Sequence, residues 1–478
     1  MAWKQLEPTG PHLTYLLLTT FLIFYALFSL LIKNRLHLSE PPLATLWGLI
    51  FGPKAAGIIT PSKWGLGDNV VQEFTRVILG IQCFAVGIEL PRKFFKKHWR
   101  SLAMLLGPVM TFGWLICALF IRQLFDLDWP ASLVISACLT PTDPVLAASV
   151  LSNSKFSNRV PRRLRNLLSA ESGSNDGVSF PFLYIGISLL VRSTLSGLLK
   201  KWVLITLLWQ CTLGILLGLF IGHAANRALR KAADREMIGR ASYLIFYLLL
   251  AIFCVGVAST LGLDDFLLAF SAGVGFAHDG WFASATAETE LYKIIDMLLN
   301  STMFVYFGTL IPWYAFTSST HPHLSPGRMV ALVTLVLLFR RIPILLALKR
   351  WIPDIRTYRE ALFAGHFGPM GVGALFLAME ARAQLENDTS EADPEPPTDL
   401  DPARQRAVDV IWPMVCAIVL ASVLVHGLST LAVSLSGSLM RTKGERAPLL
   451  GAEDEGLDAM DFDSGDEEEG EVDERGYT

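Results

Sequence analysis

The chain has 478 residues, of which 52% are hydrophobic and only 17% charged, and its mean hydropathy is +0.45. A soluble protein of this size needs more charge to cover its surface, so the composition argues against a soluble enzyme and favours a membrane protein in contact with lipid. The net charge of −3 combines two opposite parts, because residues 441–478 carry 14 acids and 4 bases, a balance of −10, which leaves +7 on the preceding residues.

Apolar runs long enough to cross a bilayer as helices recur along the chain. They predict an all-α polytopic membrane protein with about 13 transmembrane helices over residues 1–435, followed by an acidic, disordered cytoplasmic tail over 436–478. Two of the runs, 42–59 and 264–278, are short enough to be half-helices. The runs are 13–32, 42–59, 71–90, 101–121, 129–151, 164–191, 202–226, 241–261, 264–278, 290–312, 328–347, 360–380 and 408–433.

Basic residues cluster in alternate loops, which predicts the orientation of the chain. With thirteen spans these loops face the cytoplasm, the N-terminus is outside and the C-terminal tail is cytoplasmic. The acidic loop 381–406 then faces outward, and it holds a glycosylation acceptor triplet that begins at Asn387. The clusters are Arg92, Lys93, Lys96, Lys97 and Arg100; Lys155, Arg159, Arg162, Arg163 and Arg165; Arg227, Arg230, Lys231, Arg235 and Arg240; and Lys349, Arg350, Arg356 and Arg359.

The fifth run contains a carboxylate between two prolines. Pro141 and Pro144 each remove a backbone donor, which predicts an unwound centre that exposes Thr142 and Asp143. Carbonyl, hydroxyl and carboxylate oxygens are hard ligands that suit an alkali cation. A second interruption occupies residues 365–373 of the twelfth run, and two broken helices in corresponding halves of a chain indicate the central site of a secondary transporter.

The sixth run contains further acids. Glu171 and Asn175 share a helix face, while Asp176 is turned about 100° from Asn175 and can reach the unwound segment. A charge at membrane depth is costly and marks an ion or proton path. Glu171 therefore needs a cationic partner, which is either Arg340 or Arg341, and the other arginine is free to snorkel toward the interface.

Several polar residues allow two interpretations. Asp143 and Asp176 are either cation ligands or structural hydrogen-bond acceptors, and His366 is either a proton carrier or a satisfied polar residue in a kink. Asp264 and Asp265 either stabilise a helix N-terminus or line a cation funnel. Two further groups of residues are assigned no functional role. Glu73, Arg76 and Glu89 are expected at the membrane interface, and the six cysteines are expected to behave as small hydrophobes.

Two other functional classes deserve comparison with a coupled transporter. A cation channel requires a continuous filter or a charged ring rather than two isolated breaks. An intramembrane protease is suggested only by residues 65–68, Gly-Leu-Gly-Asp, which lie in a polar loop, and the chain has no Tyr-Asp partner motif. The alternatives to a sodium/proton antiporter are thus a proton-coupled transporter of another cation and a cation channel.

Longer motifs resemble a known family. Residues 142–144, 171–176 and the intramembrane arginine look like the sodium/proton exchangers of the monovalent cation/proton antiporter superfamily. Residues 73–76 (Glu-Phe-Thr-Arg), 84–91 and 366–373 (His-Phe-Gly-Pro-Met-Gly-Val-Gly) look more specifically like the fungal plasma-membrane alkali-cation (Na+/Li+)/proton antiporters.

The resemblance implies an inverted-repeat fold with two unwound crossing helices, a homodimer, and a six-helix core that moves as an elevator. It implies no cofactor, with Na+ or Li+ and H+ as the transported ions, and the acidic tail is a candidate docking site for regulatory partners. The implied cation ligands are Thr142, Asp143, Ser172 and Asp176, with Asn175 in support. Glu171 with Arg340 or Arg341 is the implied structural pair, and His366, Asp264 and Asp265 match accessory positions.

Overall fold

The computed structural model describes residues 8–36, 38–143, 160–286, 291–317, 324–390, 392 and 400–439. Regular secondary structure within these ranges is helical throughout. The helices are α1 (Gly10–Leu31), α2 (Glu40–Phe51), α3 (Asp68–Glu89), α4 (Phe94–Phe125), α5 (Trp129–Ala137), α6 (Arg162–Leu190), α7 (Leu195–Asp234), α8 (Arg240–Leu261), α9 (Asp265–Phe276), α10 (Trp281–Thr286), α11 (Leu291–Leu310), α12 (Trp313–Thr317), α13 (Pro326–Phe339), α14 (Ile342–Leu348), α15 (Tyr358–His366), α16 (Val372–Asn387) and α17 (Pro402–Leu439).

Several helices have the length and apolarity of membrane spans. Within the described ranges six stretches qualify, and shorter apolar helices lie in α8, α9 and α11. The outward leucines of α1 illustrate the consequence, because Leu27 and Leu30 are 74% and 73% exposed, as side chains that face lipid are. The six stretches are Gly10–Leu31, Asp68–Glu89, Phe94–Phe125, Leu195–Asp234, Pro326–Trp351 and Pro402–Ser429.

Each predicted apolar run overlaps a helix in the described ranges, while the number of spans remains a prediction. In the fifth run the helix ends at Ala137, before the predicted interruption, and residues 144–151 lie outside the described part. Lys155 and Arg159 of the second basic cluster also lie outside it, as does the tail beyond residue 439.

Local sequence signals explain where the helices near the site begin. Asp128 caps α5, because its side chain accepts a hydrogen bond from the backbone N–H of Ala131. Thr357 and Glu360 form a reciprocal capping box at the start of α15. These caps satisfy backbone donors that would otherwise lack partners.

Glycines allow the helices to approach closely. A Cβ atom at Gly222 of α7 would collide with the backbone oxygen of Ala272 in α9. A Cβ atom at Gly308 of α11 would collide with the backbone oxygen of Thr45 in α2. Close backbone contact between small residues is the main way in which helices associate in a membrane.

The helix α16 lies at the centre of the molecule. Every residue from 372 to 381 is buried, and the helix packs against α3, α6 and α17. Its N-terminus follows the second interruption, residues 367–371, so this buried helix begins at the candidate site.

Candidate cation site

The first interruption follows α5. Residues 141–143 are not helical, and Pro141 has no N–H to continue the helix. The freed carbonyls at Leu139 and Pro141 accept hydrogen bonds from Arg340, the second over 3.5 Å. A buried guanidinium therefore satisfies the backbone groups that the break releases.

The second interruption separates α15 from α16 and meets the first. The backbone N–H of Asp143 donates to the carbonyl of Pro369 over 2.8 Å. Arg340 also donates to the carbonyl of Gly368, so one side chain joins both interruptions. The two predicted break points thus lie against each other.

Asp143 occupies the N-terminus of α16. Its Oδ2 accepts a hydrogen bond from the backbone N–H of Val372 over 3.2 Å, and the residue is 2% exposed. A Cβ atom at Gly371 would collide with this carboxylate. The partial positive charge of the helix N-terminus stabilises an anion at this place.

One face of α6 holds the first interruption. Asn175 accepts a hydrogen bond from the backbone N–H of Thr142 over 3.1 Å and donates to Thr142 Oγ1 over 2.7 Å. Thr142 Oγ1 also lies 2.8 Å from Ser172 Oγ, and both hydroxyls are buried. Asn175 therefore orients Thr142, while the two hydroxyl oxygens lie together beside the carboxylates.

Asp176 is the most enclosed acid of the site, with 1% of its surface exposed. Its Oδ2 accepts a weak hydrogen bond from Cys83 Sγ over 3.7 Å, while Oδ1 has no hydrogen-bond partner among the described residues. A Cβ atom at Gly373 would collide with Oδ1. Because Gly371 and Gly373 face Asp143 and Asp176 respectively, both carboxylates border the first turn of α16.

The two adjacent arginines have different roles. Arg341 forms a bidentate ion pair with Glu171, with N···O distances of 2.5 and 2.9 Å. Arg340 binds backbone carbonyls instead and is 5% exposed, so the expectation that the unpaired arginine snorkels is wrong. The freed carbonyls at the break retain Arg340, because each would lack a partner without it.

The accessory residues lie at two different places. Asp264 caps α9 through the N–H groups of Phe266 and Leu267, as one of its two interpretations predicts. It also packs against α6, since a Cβ atom at Gly177 would lie 2.6 Å from Asp264 Oδ1. His366 lies on the other side of the break, where its Nε2 is 2.9 Å from Ser429 Oγ.

The comparisons with known proteins agree with this geometry. The family model described as the transmembrane sodium/hydrogen exchanger matches residues 21–434. The chain belongs to this family. It is 45% identical over 448 residues to Na(+)/H(+) antiporter 2 of Zygosaccharomyces rouxii, a match that covers 92% of this chain and 55% of the yeast protein. It is 36% identical to a Na(+)/H(+) antiporter of Schizosaccharomyces pombe, covering 92% of this chain and 93% of that protein.

A solved structure gives the same fold. The chain superposes on the sodium proton antiporter MjNhaP1 from Methanocaldococcus jannaschii with a TM-score of 0.65 at 18% identity, over 90% of this chain and 100% of that chain. The family match confirms the resemblance predicted from the motifs, and the protein is a multi-pass membrane protein of a transporter family, which excludes the protease alternative. The chain spans about half the length of several relatives, 55% of the Z. rouxii protein and 45% of the Saccharomyces cerevisiae Na(+)/H(+) antiporter.

Some buried polar residues were not identified as buried from sequence. Arg76 is 8% exposed, and its guanidinium lies 3.4 Å from Asp265. Glu380 is 2% exposed and accepts a hydrogen bond from Gln72 over 3.0 Å. A signal for Glu380 does exist, because it follows Gly373 by seven residues, two helical turns, and so shares the face of α16 that borders Asp176.

Proposed function

We propose that the protein is a secondary active transporter that exports Na+ and Li+, with K+ a further candidate, in exchange for H+. The relatives named as Na(+)/H(+) antiporters support this proposal, as do two buried carboxylates at the start of α16. Asp176 carries the argument, since a buried carboxylate oxygen with no hydrogen-bond partner among the described residues needs either a proton or a cation.

Competition for one site is enough to couple the two ions. The Glu171 carboxylate is already paired with Arg341, whereas Asp143 and Asp176 border the first turn of α16. An ionised Asp176 carries one negative charge in this buried place. One proton or one Na+ neutralises it, whereas binding both would leave an uncompensated positive charge in a low dielectric.

The oxygen atoms around Asp176 define the ligand set. Thr142, Asp143, Ser172 and Asp176 supply hydroxyl and carboxylate oxygens, which suit an alkali cation. Asn175 orients Thr142 through two hydrogen bonds and so supports the site indirectly. The Glu171–Arg341 pair serves structure, because each carboxylate oxygen of Glu171 already has a guanidinium donor.

The same proposal includes the mechanism of alternating access. The protein has thirteen spans in an inverted repeat, with a dimerisation part and a six-helix core. This core carries the two crossing interruptions and moves as an elevator. Direct bonding between the interruptions, through Asp143 N–H and Pro369, supports their movement as one unit. The proposal also includes a homodimer in the plasma membrane, with the N-terminus outside and the tail inside, and the basic loops support that orientation. Asp264, Asp265 and His366 are accessory.

Proteoliposomes that contain a pH-sensitive dye test the proposal. With an acidic interior, addition of Na+ or Li+ should restore the fluorescence of the wild-type protein, and K+ addition reports its selectivity. Asp176→Asn should abolish the signal. The matched control is Asp126→Asn at an exposed helix end, where the left-handed backbone (φ 55°) tolerates asparagine, and it should retain exchange.

Two results would count against this function. Cation-driven proton efflux of normal size by a folded Asp176→Asn variant would show that the proton and the cation do not share this carboxylate. A Na+ flux that moves charge but no protons would instead identify a channel.

A further inference from the structure

A polar face of α17 lies against the second interruption. Ser422 and His426 are one helical turn apart, and they are 0% and 4% exposed within an otherwise apolar part of the helix. Neither residue belongs to the cation ligand set. A buried histidine in a membrane-spanning helix is costly unless its ring nitrogens have partners, so its contacts reveal what it does.

Both ring nitrogens of His426 lie against carbonyl oxygens. Nδ1 is 2.8 Å from the carbonyl of Ser422, and Nε2 is 2.9 Å from the carbonyl of His366 at the edge of the break. The hydroxyl of Ser422 lies 3.2 Å from Nδ1 and accepts a hydrogen bond from the backbone N–H of Met370 over 2.8 Å. His426 thus holds the interruption at two points, His366 directly and Met370 through Ser422.

The contacts of the ring differ between its two protonation states. In the neutral ring, Nε2–H donates to His366 and Nδ1 accepts from the hydroxyl of Ser422, which leaves the Nδ1 lone pair 2.8 Å from the carbonyl oxygen of Ser422. In the charged ring, Nδ1–H donates to the carbonyl of Ser422 while Nε2–H keeps its partner. The titratable or charged groups that act on His426 among the described residues are the ring of His366, with centroids 5.2 Å apart, and the guanidinium of Arg340.

The residues that His426 holds are continuous with the cation site. Between His366 and Met370 lies Pro369, whose carbonyl accepts from the backbone N–H of Asp143. Two residues beyond Met370, the N–H of Val372 donates to the Asp143 carboxylate. A displacement of the interruption therefore moves the partners of Asp143.

We propose that His426 is a positioning residue for the cation site, and that its protonation lowers the affinity for Na+. The charged ring places a positive charge beside the same interruption that Arg340 already binds, which weakens the attraction of the site for a cation. The inference depends on the proposed function, and it adds a second proton-responsive group to the competition at Asp176.

Three variants test this role in the full-length protein. His426→Gln can donate to His366 and accept from Ser422, so it imitates the neutral ring, but it cannot take up a proton. His426→Phe keeps the ring volume and loses both nitrogens. His12→Gln replaces an exposed histidine at the start of α1 and serves as the matched control. For each variant the KM for Na+ and kcat are measured across the pH range in proteoliposomes.

The expected results distinguish a positioning role of His426 from a purely structural one. His426→Phe should raise the KM for Na+ by about tenfold at alkaline pH, the effect of roughly one or two lost hydrogen bonds, with a smaller change in kcat. His426→Gln should have a KM near that of the wild type at alkaline pH, and its KM should rise less steeply as the pH falls, by one proton fewer. Ser422→Ala combined with His426→Phe should cost less than the two single changes together, because both act on Met370.

Two outcomes would overturn the inference. One is a His426→Gln variant whose KM rises on acidification as steeply as that of the wild type. The other is a folded His426→Phe variant with an unchanged KM. If either occurs while Asp176→Asn remains inactive, only the role of His426 fails, whereas an active Asp176→Asn variant rejects the proposed function itself. Should His426→Phe not reach the membrane, the pH slope of His426→Gln decides.

Discussion

The ion pair between Glu171 and Arg341 gives a prediction whose magnitude follows from the structure. Both residues are buried, 3% and 7% exposed, and two guanidinium nitrogens contact the two carboxylate oxygens at 2.5 and 2.9 Å. Arg341→Met removes the cationic partner of this buried carboxylate while keeping most of the length of the side chain. Loss of one member of a buried pair costs about 3–5 kcal/mol, because the remaining charge is left uncompensated.

The double variant isolates that cost. Adding Glu171→Gln to Arg341→Met removes the second charge, so we expect about 2–3 kcal/mol of the lost stability to return. Arg341 Nε also donates to the carbonyl of Ala364 over 3.3 Å, and the loss of that bond, about 1 kcal/mol, should persist. Unfolding by SDS in mixed micelles, followed by circular dichroism, measures these free energies.

Two control pairs sharpen the result. Arg230→Met breaks an ion pair with Asp279 in which the arginine side chain is 53% exposed, so it should cost less than about 1 kcal/mol. Arg340→Met combined with Glu171→Gln should show little coupling, because Arg340 donates to carbonyls. Coupling that belongs to Arg340 rather than Arg341, or strictly additive single changes, would refute the assignment of the pair.

Two further predictions concern single positions. Gly373→Ala should reduce Na+-driven fluorescence recovery at least about fivefold, the effect of roughly 1–3 kcal/mol of overpacking against Asp176. Normal exchange by this variant would contradict the contact. The control is Gly256→Ala, because a Cβ atom at Gly256 meets nothing within 4 Å. Burial tends to raise the pKa of Asp354, but hydrogen bonds from His98 (2.8 Å) and Ser101 (2.5 Å) hold it below its ordinary value. A carboxyl whose pKa is lowered in the folded state adds stability at a pH above its unfolded pKa of about 3.9, and this stability is lost as the pH falls through its folded pKa. The difference in melting temperature between wild type and Asp354→Asn should therefore be constant from about pH 7 to 5 and narrow below about pH 4. A gap that does not narrow in acid would contradict this role of Asp354.

The two interruptions were predictable because their signals are local. Pro141 and Pro369 lack a backbone N–H, and the glycines between 365 and 373 weaken a helix, while a carboxylate such as Asp176 stands out within an apolar run. Cys83 gave no such signal, because a cysteine in a helix reads as a small hydrophobe until its thiol is found against Asp176.

Residues at the edges of the runs were harder to interpret. Arg76 lies eight residues into α3, a position that suits an interfacial arginine, and its burial depends on Asp265 from a helix far along the chain. His426 appears in sequence as one polar residue in a long apolar helix. Its importance comes from the carbonyl of His366, sixty residues away, which sequence spacing does not place beside it.

The amino-acid sequence by itself determined the membrane class, the positions of the breaks and the acids that serve them, because these follow from hydropathy and from the backbone chemistry of proline and glycine. Only the tertiary structure decided between Arg340 and Arg341, which carry the same charge one residue apart. The two arginines lie between α13 and α14, where one guanidinium meets Glu171 of α6 while the other meets the carbonyls of both breaks. The sequence specifies the chemical type of each side chain, whereas the partner of that side chain depends on which distant helix packs against it.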